Sequence, residues 1–330
     1  MSLFKSNFMR QKKWVAVLCY ALGILGSTNL AAQSWPDKPI KMIVPFAAGG
    51  SADILGRILS QELSKNLGQN VIVENRGGAG GNIGAELVAK SPADGYTILL
   101  ASGSMMTVNP FIYKKASINY AKDLTYITTI ATVPMVIAVN PKLPVNTLPE
   151  LIALAKTKEL NFGSAGIGSQ IHMANENFIY AAGIQATHVP YKGENPALND
   201  LIAGQIDFMA GNFPATGGFA KAGQVKALAV TSSKRLKQLP NVPTVAESAI
   251  PGFENTGWFA LAVPTGTPQS IIDKIYVATE KSFKAPSLLA NLDTNGLTPM
   301  MMRSKDVDAK IQVESANWEK VIKARNIPTQ

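Results

Sequence analysis

Three glycine- and serine-rich loops hold most of the residues in this sequence that can do chemistry. They are Ala47-Ala48-Gly49-Gly50-Ser51-Ala52-Asp53, the stretch Gly78–Gly84, and Gly163-Ser164-Ala165-Gly166-Ile167-Gly168-Ser169. Each follows a short apolar run of β type and precedes apolar residues at helical spacing. A helix N-terminus offers unpaired backbone N–H groups and the positive end of the helix dipole. Glycine lets the backbone come close to a ligand. The chemistry expected of such loops is anion binding by amides and hydroxyls, without a cationic side chain. Each loop can equally be an ordinary βα turn. Two loops of one style in separate halves of the chain favour binding.

Single residues around these loops extend the candidate set. Asp53, in the first helical turn, either orients a ligand or complements the helix N-terminus. His172 lies three residues beyond Ser169, where it either contacts a ligand or packs and caps. No acidic partner for it is obvious along its helix, which argues against general-base work. Ser102 and Ser104 follow a strand and either donate into a cleft or cap the next segment. Tyr191-Lys192-Gly193 and the loop from Asn212 to Gly218 also follow strands. Met300-Met301-Met302 reads as local packing rather than a metal site, so no metal and no cofactor is expected.

Composition excludes several classes. His172 and His188 are the only histidines and Cys19 the only cysteine, which removes most zinc and triad chemistries. The glycines of Gly78–Gly84 fall one residue too far apart for a dinucleotide fingerprint, and no GxxxxGK[ST] phosphate loop occurs. Lys and Arg total 31 against 22 Asp and Glu, a net charge of +9. The excess is spread along the chain, so nucleic acid is not expected as a partner.

The chain opens with a secretion leader. Lys5, Arg10, Lys12 and Lys13 precede the apolar run Trp14–Leu25, too short to span a bilayer, and Ala32-Gln33-Ser34 fits small-x-small cleavage. Cleavage is expected after Ser34, with Ala32 as the alternative. An uncleaved anchor is the competing reading. A lipoprotein is disfavoured because Leu18, not a small residue, precedes Cys19. The mature protein would carry a charge of +5 and no cysteine, which suits a bacterial periplasm or cell surface.

The remaining 296 residues exceed what one core usually serves, so two lobes are expected. Strand-like runs at 40–44, 71–73, 97–101, 135–139, 161–163, 188–190, 206–209, 227–230 and 258–263 alternate with helical patterns. The helices are expected from Ser51 to Gly68, over 82–90, 148–156, 170–182, from Pro196 to Gly204, over 269–283 and over 304–324. The proline-rich stretch 240–252 reads as an ordered loop. The fold class is α/β: two lobes, each a mostly parallel sheet flanked by helices. Lobe 1 is expected to hold residues 35–137 and 257–330, and lobe 2 residues 138–256. Crossings near 138 and 256 suit a hinge. The last helix is expected to pack back on lobe 1.

An ordered series of segments gives a resemblance over essentially the whole mature chain. It runs through Trp35-Pro36-Asp37-Lys38-Pro39-Ile40, Pro45-Phe46-Ala47-Ala48-Gly49-Gly50-Ser51-Ala52-Asp53, Glu74–Gly81, Ser164–Ser169, Val189-Pro190-Tyr191-Lys192-Gly193 and Pro243–Glu247. The chain resembles the Bug-type solute receptors of tripartite tricarboxylate transporters. The resemblance implies a type II-like periplasmic binding protein with its ligand in a cleft between lobes. The ligand would be gripped by the loops Phe46–Asp53 and Ser164–Ser169, partly through water. It implies a small carboxylate: a di- or tricarboxylate, an acidic amino acid or an aromatic acid. It also implies integral-membrane transporter subunits as partners, a monomer, and binding with hinge closure rather than catalysis. Gly77-Gly78 departs slightly from the family's frequent Pro-Gly pair. A sensor docking on a membrane partner, or an exported enzyme on the same fold, are the alternatives.

Overall fold

The order of elements follows the hydrophobic pattern closely. A computed structural model describes residues 35–330; the leader and its cleavage point lie outside the described residues. Lys38–Gln330 form one compact unit. It begins with β1 (Ile40–Val44), α1 (Ser51–Leu67), β2 (Val71–Asn75), α2 (Asn82–Ala89), β3 (Thr97–Ser102) and then the short helices α3 (Gly103–Thr107), α4 (Asn109–Ile112) and α5 (Tyr120–Asp123). Next come β4 (Leu124–Val139), α6 (Leu148–Ala155), β5 (Asn161–Ser164), α7 (Gln170–Ala182), β6 (Thr187–Pro190), α8 (Glu194–Ala203), β7 (Phe208–Asn212), α9 (Phe213–Lys221) and β8 (Lys226–Val230). The chain ends with α10 (Val245–Ser248), β9 (Thr256–Pro264), α11 (Gln269–Ser282), α12 (Pro286–Thr294), β10 (Thr298–Pro299) and α13 (Ser304–Ala324).

The strands form two mixed sheets joined through β4. In the first, β1 pairs in parallel with β2 and β3, while β9 runs antiparallel between β3 and β4. In the second, β5 pairs in parallel with β6 and β7, and β4 runs antiparallel to β7 and β8. The parallel pairs are the βα repeats legible in the sequence. The antiparallel pairs are made by the strands that connect the halves. β4 changes partner within its length: Pro134 still pairs with Thr256 of β9, and Met135 already pairs with Asn212 of β7. Its first half, Leu124–Pro134, is not legible as strand in the sequence because threonines interrupt the apolar run.

Each sheet buries its own apolar side chains. Ile40, Met42, Ile43, Leu55, Leu59, Leu63, Ile98 and Leu99 are fully buried between β1, β3 and α1. Phe162, Phe178 and Phe208 centre the second core with Ile137, Val139 and Leu151. Burial of a side chain of this size contributes about 1.5–3 kcal/mol, so both cores are substantial. Gly68 takes a left-handed φ of 72° and caps α1, as its position suggests.

Three local expectations are corrected. Helix α8 starts at Glu194, two residues before Pro196, because proline is tolerated anywhere in a first turn whose N–H groups lack partners. The stretch 240–252 contains the one-turn helix α10, closed by a capping box between Thr244 and Glu247. His172 does have an acidic neighbour: Glu176, one turn along α7, lies 3.6 Å from its Nε2. Helix α12 has no counterpart among the helices read from the sequence. Helix α13 packs on α3 and β4. Ile322 is buried beside Val108, Ile112 and Met173, and the Nε1–H of Trp258 on β9 donates to Glu314 at 2.7 Å.

Candidate functional site

The C-terminal ends of β1, β3, β5 and β7 meet around one small cavity. Its wall contains Phe46, Gly50, Ser51 and Ala52 from the first loop and helix, Ser102 from β3, and Phe259 from β9. Facing them are Ala165, Ser169, Gln170 and Ile171 from the β5–α7 turn, and Glu194 and Asn212. The space between is about 20 Å³, room for little more than one water.

Hydrogen bonds run round this wall from one sheet to the other. Ser102 Oγ lies 3.1 Å from Ser104 Oγ and donates to Gln170 Oε1 at 3.2 Å. Gln170 Nε2 donates to Asn212 Oδ1 at 3.2 Å. The Asn212 amide donates to Glu194 Oε1 at 2.6 Å, and the Ser51 amide donates to Glu194 Oε2 at 2.9 Å. Ser51 Oγ in turn accepts the Ala215 amide at 3.2 Å. Away from the cavity, Tyr113 Oη donates to the Ile167 carbonyl at 3.0 Å. The arrangement is a ring of amides, hydroxyls, carboxamides and one carboxylate, Glu194, with no Lys or Arg in its wall.

Helix α7 supplies further donors. Ser169 is its N-cap, accepting the His172 amide at 3.2 Å, and the Ser169 carbonyl takes the Met173 amide. The first amides of a helix have no intrahelical partner. Those of Gln170 and Ile171 belong to residues of the cavity wall, so they are candidate donors to an anion there.

Glu194 is 3 % exposed and is the only ionisable side chain in the wall. Burial pushes its carboxyl up to about 7, against the pull of its bonds from Ser51 and Asn212. Sequence reading misses it because it starts the helix at Pro196, which leaves Glu194 as an ordinary loop carboxylate.

The other predicted residues lie around this centre. Asp53 Oδ2 accepts the Gly49 amide at 3.0 Å and pairs with Arg57 Nε at 3.0 Å, so it fixes the loop rather than lining the cavity. Burial works to raise its pKa, but Arg57, the Gly49 amide and Asn75 hold it below the ordinary value. Ala48 and Gly49 form the turn; Gly49 has φ +79°, which strains any other residue, and a Cβ there would press on the carboxamide of Asn195. Ser164 Oγ lies 2.6 Å from His188 Nε2. The Gly168 amide donates to His172 Nδ1 at 3.2 Å, which leaves the proton on Nε2, facing Glu176. The two histidines stack with ring centroids 4.0 Å apart, and His188 stacks on Phe162. Burial, and then the neighbouring His172, push His188 down to about 3. Gly166 and Tyr191 face a separate surface groove with Lys192, and Tyr191 Oη donates to Asp200 at 2.6 Å. Sequence reading therefore reaches Phe46, Gly50, Ser51, Ser102, Ala165, Ser169 and Asn212 of the wall, and misses Ala52, Gln170, Ile171, Glu194 and Phe259.

Residues 55–327 match the family profile described as the tripartite tricarboxylate transporter family receptor. This chain belongs to that family. Among curated relatives, the BugT protein of Bordetella pertussis is 35 % identical over 319 residues, 96 % of this chain and 98 % of BugT. Among solved structures, the periplasmic binding protein BugD superposes with a TM-score of 0.86 at 33 % identity, covering 90 % of this chain and 100 % of BugD. The Rpa4515 protein of R. palustris, solved with adipate, gives 0.86 at 35 % identity over 90 % of this chain and 100 % of its own. The receptor is thus a solute-binding protein of the Bug type with a mixed α/β fold of the periplasmic binding-protein class. No helix among the described residues is long and apolar enough to cross a membrane.

Proposed function

We propose that this receptor works in the periplasm, captures a small carboxylate in a cleft between two lobes, and delivers it to membrane subunits of a tripartite tricarboxylate-type transporter. It acts by binding, not catalysis. The observation that carries the reading is the ring from Ser104 through Ser102, Gln170, Asn212 and Glu194 to Ser51. It brings the N-termini of α1 and α7 to one cavity whose wall has no Lys or Arg. Helix N-terminal amides of that kind suit a carboxylate. The adipate held by Rpa4515 supports the ligand class.

The lobes would be residues 35–137 with 257–330, and residues 138–256, with the chain crossing where β4 changes partner and where β9 begins. A cavity of about 20 Å³ admits a ligand of several heavy atoms only if the two sides part. Opening and closing is therefore part of the reading. A thermal-shift screen against carboxylic acids tests it, since a ligand that binds only the native state raises its melting temperature. A specific subset of acids should raise the melting temperature dose-dependently. A flat response across acids, together with stabilisation by a non-acidic solute, would remove the carboxylate from the account.

A further inference from the structure

A carboxylate already sits on the amides that this cavity offers an anion. Glu194 Oε2 takes the N–H of Ser51, the first residue of α1, and Glu194 Oε1 takes the N–H of Asn212 just before α9. Asn212 Nδ2 adds a longer contact of 3.4 Å. The side chain is 3 % exposed, and no Lys, Arg or His shares the cavity wall. Among the described residues Glu194 makes no ion pair; the nearest cationic side chain on its own segment, Lys192, faces the separate groove with Tyr191. A buried carboxylate with hydrogen bonds but no counter-charge is costly, and a ligand that brings a cation relieves that cost. A second carboxylate brought to the same place meets like charge in a water-poor pocket, where repulsion is least screened.

Resting on the carboxylate reading above, we propose that Glu194 determines ligand class: its carboxylate fills the α1 anion position, so the preferred ligand is zwitterionic, with its carboxylate on the α7 amides and its ammonium against Glu194. The rest of the cavity wall supports the orientation. The open amides of Gln170 and Ile171 and the hydroxyl of Ser169 lie on the α7 side, and Phe46 and Phe259 supply the apolar surface that the ligand's methylenes cover between the two ends. Glu194 is then a specificity device within a receptor family whose members include a dicarboxylate binder.

Calorimetry at pH 8 with matched probes tests this: glutarate against 5-aminopentanoate, and adipate against 6-aminohexanoate, on the wild-type protein and on Glu194→Gln. The wild-type protein should bind the amino acids at least tenfold more tightly than the dicarboxylates of equal carbon number. Glu194→Gln keeps the size of the side chain and removes its charge, while its NH2 replaces one of the two acceptors of the Ser51 and Asn212 amides, so it should erase or invert that ratio. Equal or tighter binding of the dicarboxylates by the wild-type protein overturns the role of Glu194 and leaves the carboxylate reading standing. A wild-type preference that persists unchanged in Glu194→Gln also overturns it. If neither class binds either protein, while circular dichroism shows both folded, the carboxylate reading fails and Glu194's role fails with it. Should the variant not fold, the wild-type ratio alone decides.

Discussion

Glu194 has a measurable effect on stability whatever the ligand proves to be. Its pKa in the folded protein is raised from an ordinary 4.5 to about 7, so between these values the folded state holds a proton that the unfolded state has lost. Stability therefore falls as pH rises through that window, and the loss is complete above about 7. The distance corresponds to roughly 3 kcal/mol at 1.36 kcal/mol per pH unit. Glu194→Gln removes the titration, at the cost of setting its NH2 against one of the two N–H donors, Ser51 or Asn212. Denaturant melts should show the stability of the variant relative to the wild type rising by up to about 3 kcal/mol between pH 4.5 and pH 8. A constant difference across pH would mean that the carboxyl does not titrate in that window. Ser169 has two roles, as the cap of α7 and as part of the cavity wall. Ser169→Ala should cost about 1 kcal/mol of stability through the cap, and should weaken carboxylate binding by about 1–2 kcal/mol through the lost hydroxyl. Unchanged affinity by calorimetry would take Ser169 out of the site. The serines and glycines of the site were legible because their types are rare together and sit at strand ends. Gln170 and Glu194 were not, because polar residues in a loop or a first helical turn usually face water, and only the opposing sheet makes them part of a wall.

Among the elements, α13 joins parts of the chain that the sequence order keeps apart. Arg325, just past its end, donates from Nε to Glu176 Oε2 on α7 at 3.1 Å, and both side chains are largely buried. Glu176 also faces His172. Burial alone would raise the Glu176 pKa; His172 and Arg325 outweigh it and hold the carboxyl below its ordinary value. A depressed carboxylate contributes stability above its unfolded pKa and loses it as pH falls through the folded value. Arg325→Ala should thus destabilise by about 2 kcal/mol at pH 7, less than for a fully buried pair because the site is partly solvated. The gap from the wild type should narrow below about pH 4. Chemical denaturation at pH 7 and at about pH 3 checks this, and a gap that stays constant would assign the loss to packing instead. The span of α13 was legible to the residue, as were those of α7 and β1; Ser169 and Gly183 mark the ends of α7, and the residue pattern alone marks α13 and β1. Its bond to α7 was not, since Glu176 and Arg325 are 149 positions apart and no local pattern pairs them.

For the molecule as a whole, the fold class was legible in the alternation of strands and helices, and the mixed sheets were not, because β9 and β4 pair over long sequence distances. That pairing has a mechanical consequence. The two sheets share β4, whose partners change between Pro134 and Met135, while Ser51, Ser102 and Tyr113 on one side hold Glu194, Gln170 and Ile167 on the other. Under the proposed two-lobe reading, these contacts would be those of a closed conformation. A ligand that touched only one side would bind open and closed forms alike and shift nothing. One held by both sides favours the closed form. The central claim, that a small carboxylic acid touching both sides of the cavity closes the receptor, is tested most directly by small-angle X-ray scattering with and without a calorimetrically confirmed ligand. The account predicts a ligand-free radius of gyration larger than that of the closed conformation, a decrease toward it at saturation, and a higher ligand concentration for the same change in Ser169→Ala. A scattering profile that does not change while the ligand is demonstrably bound would contradict it.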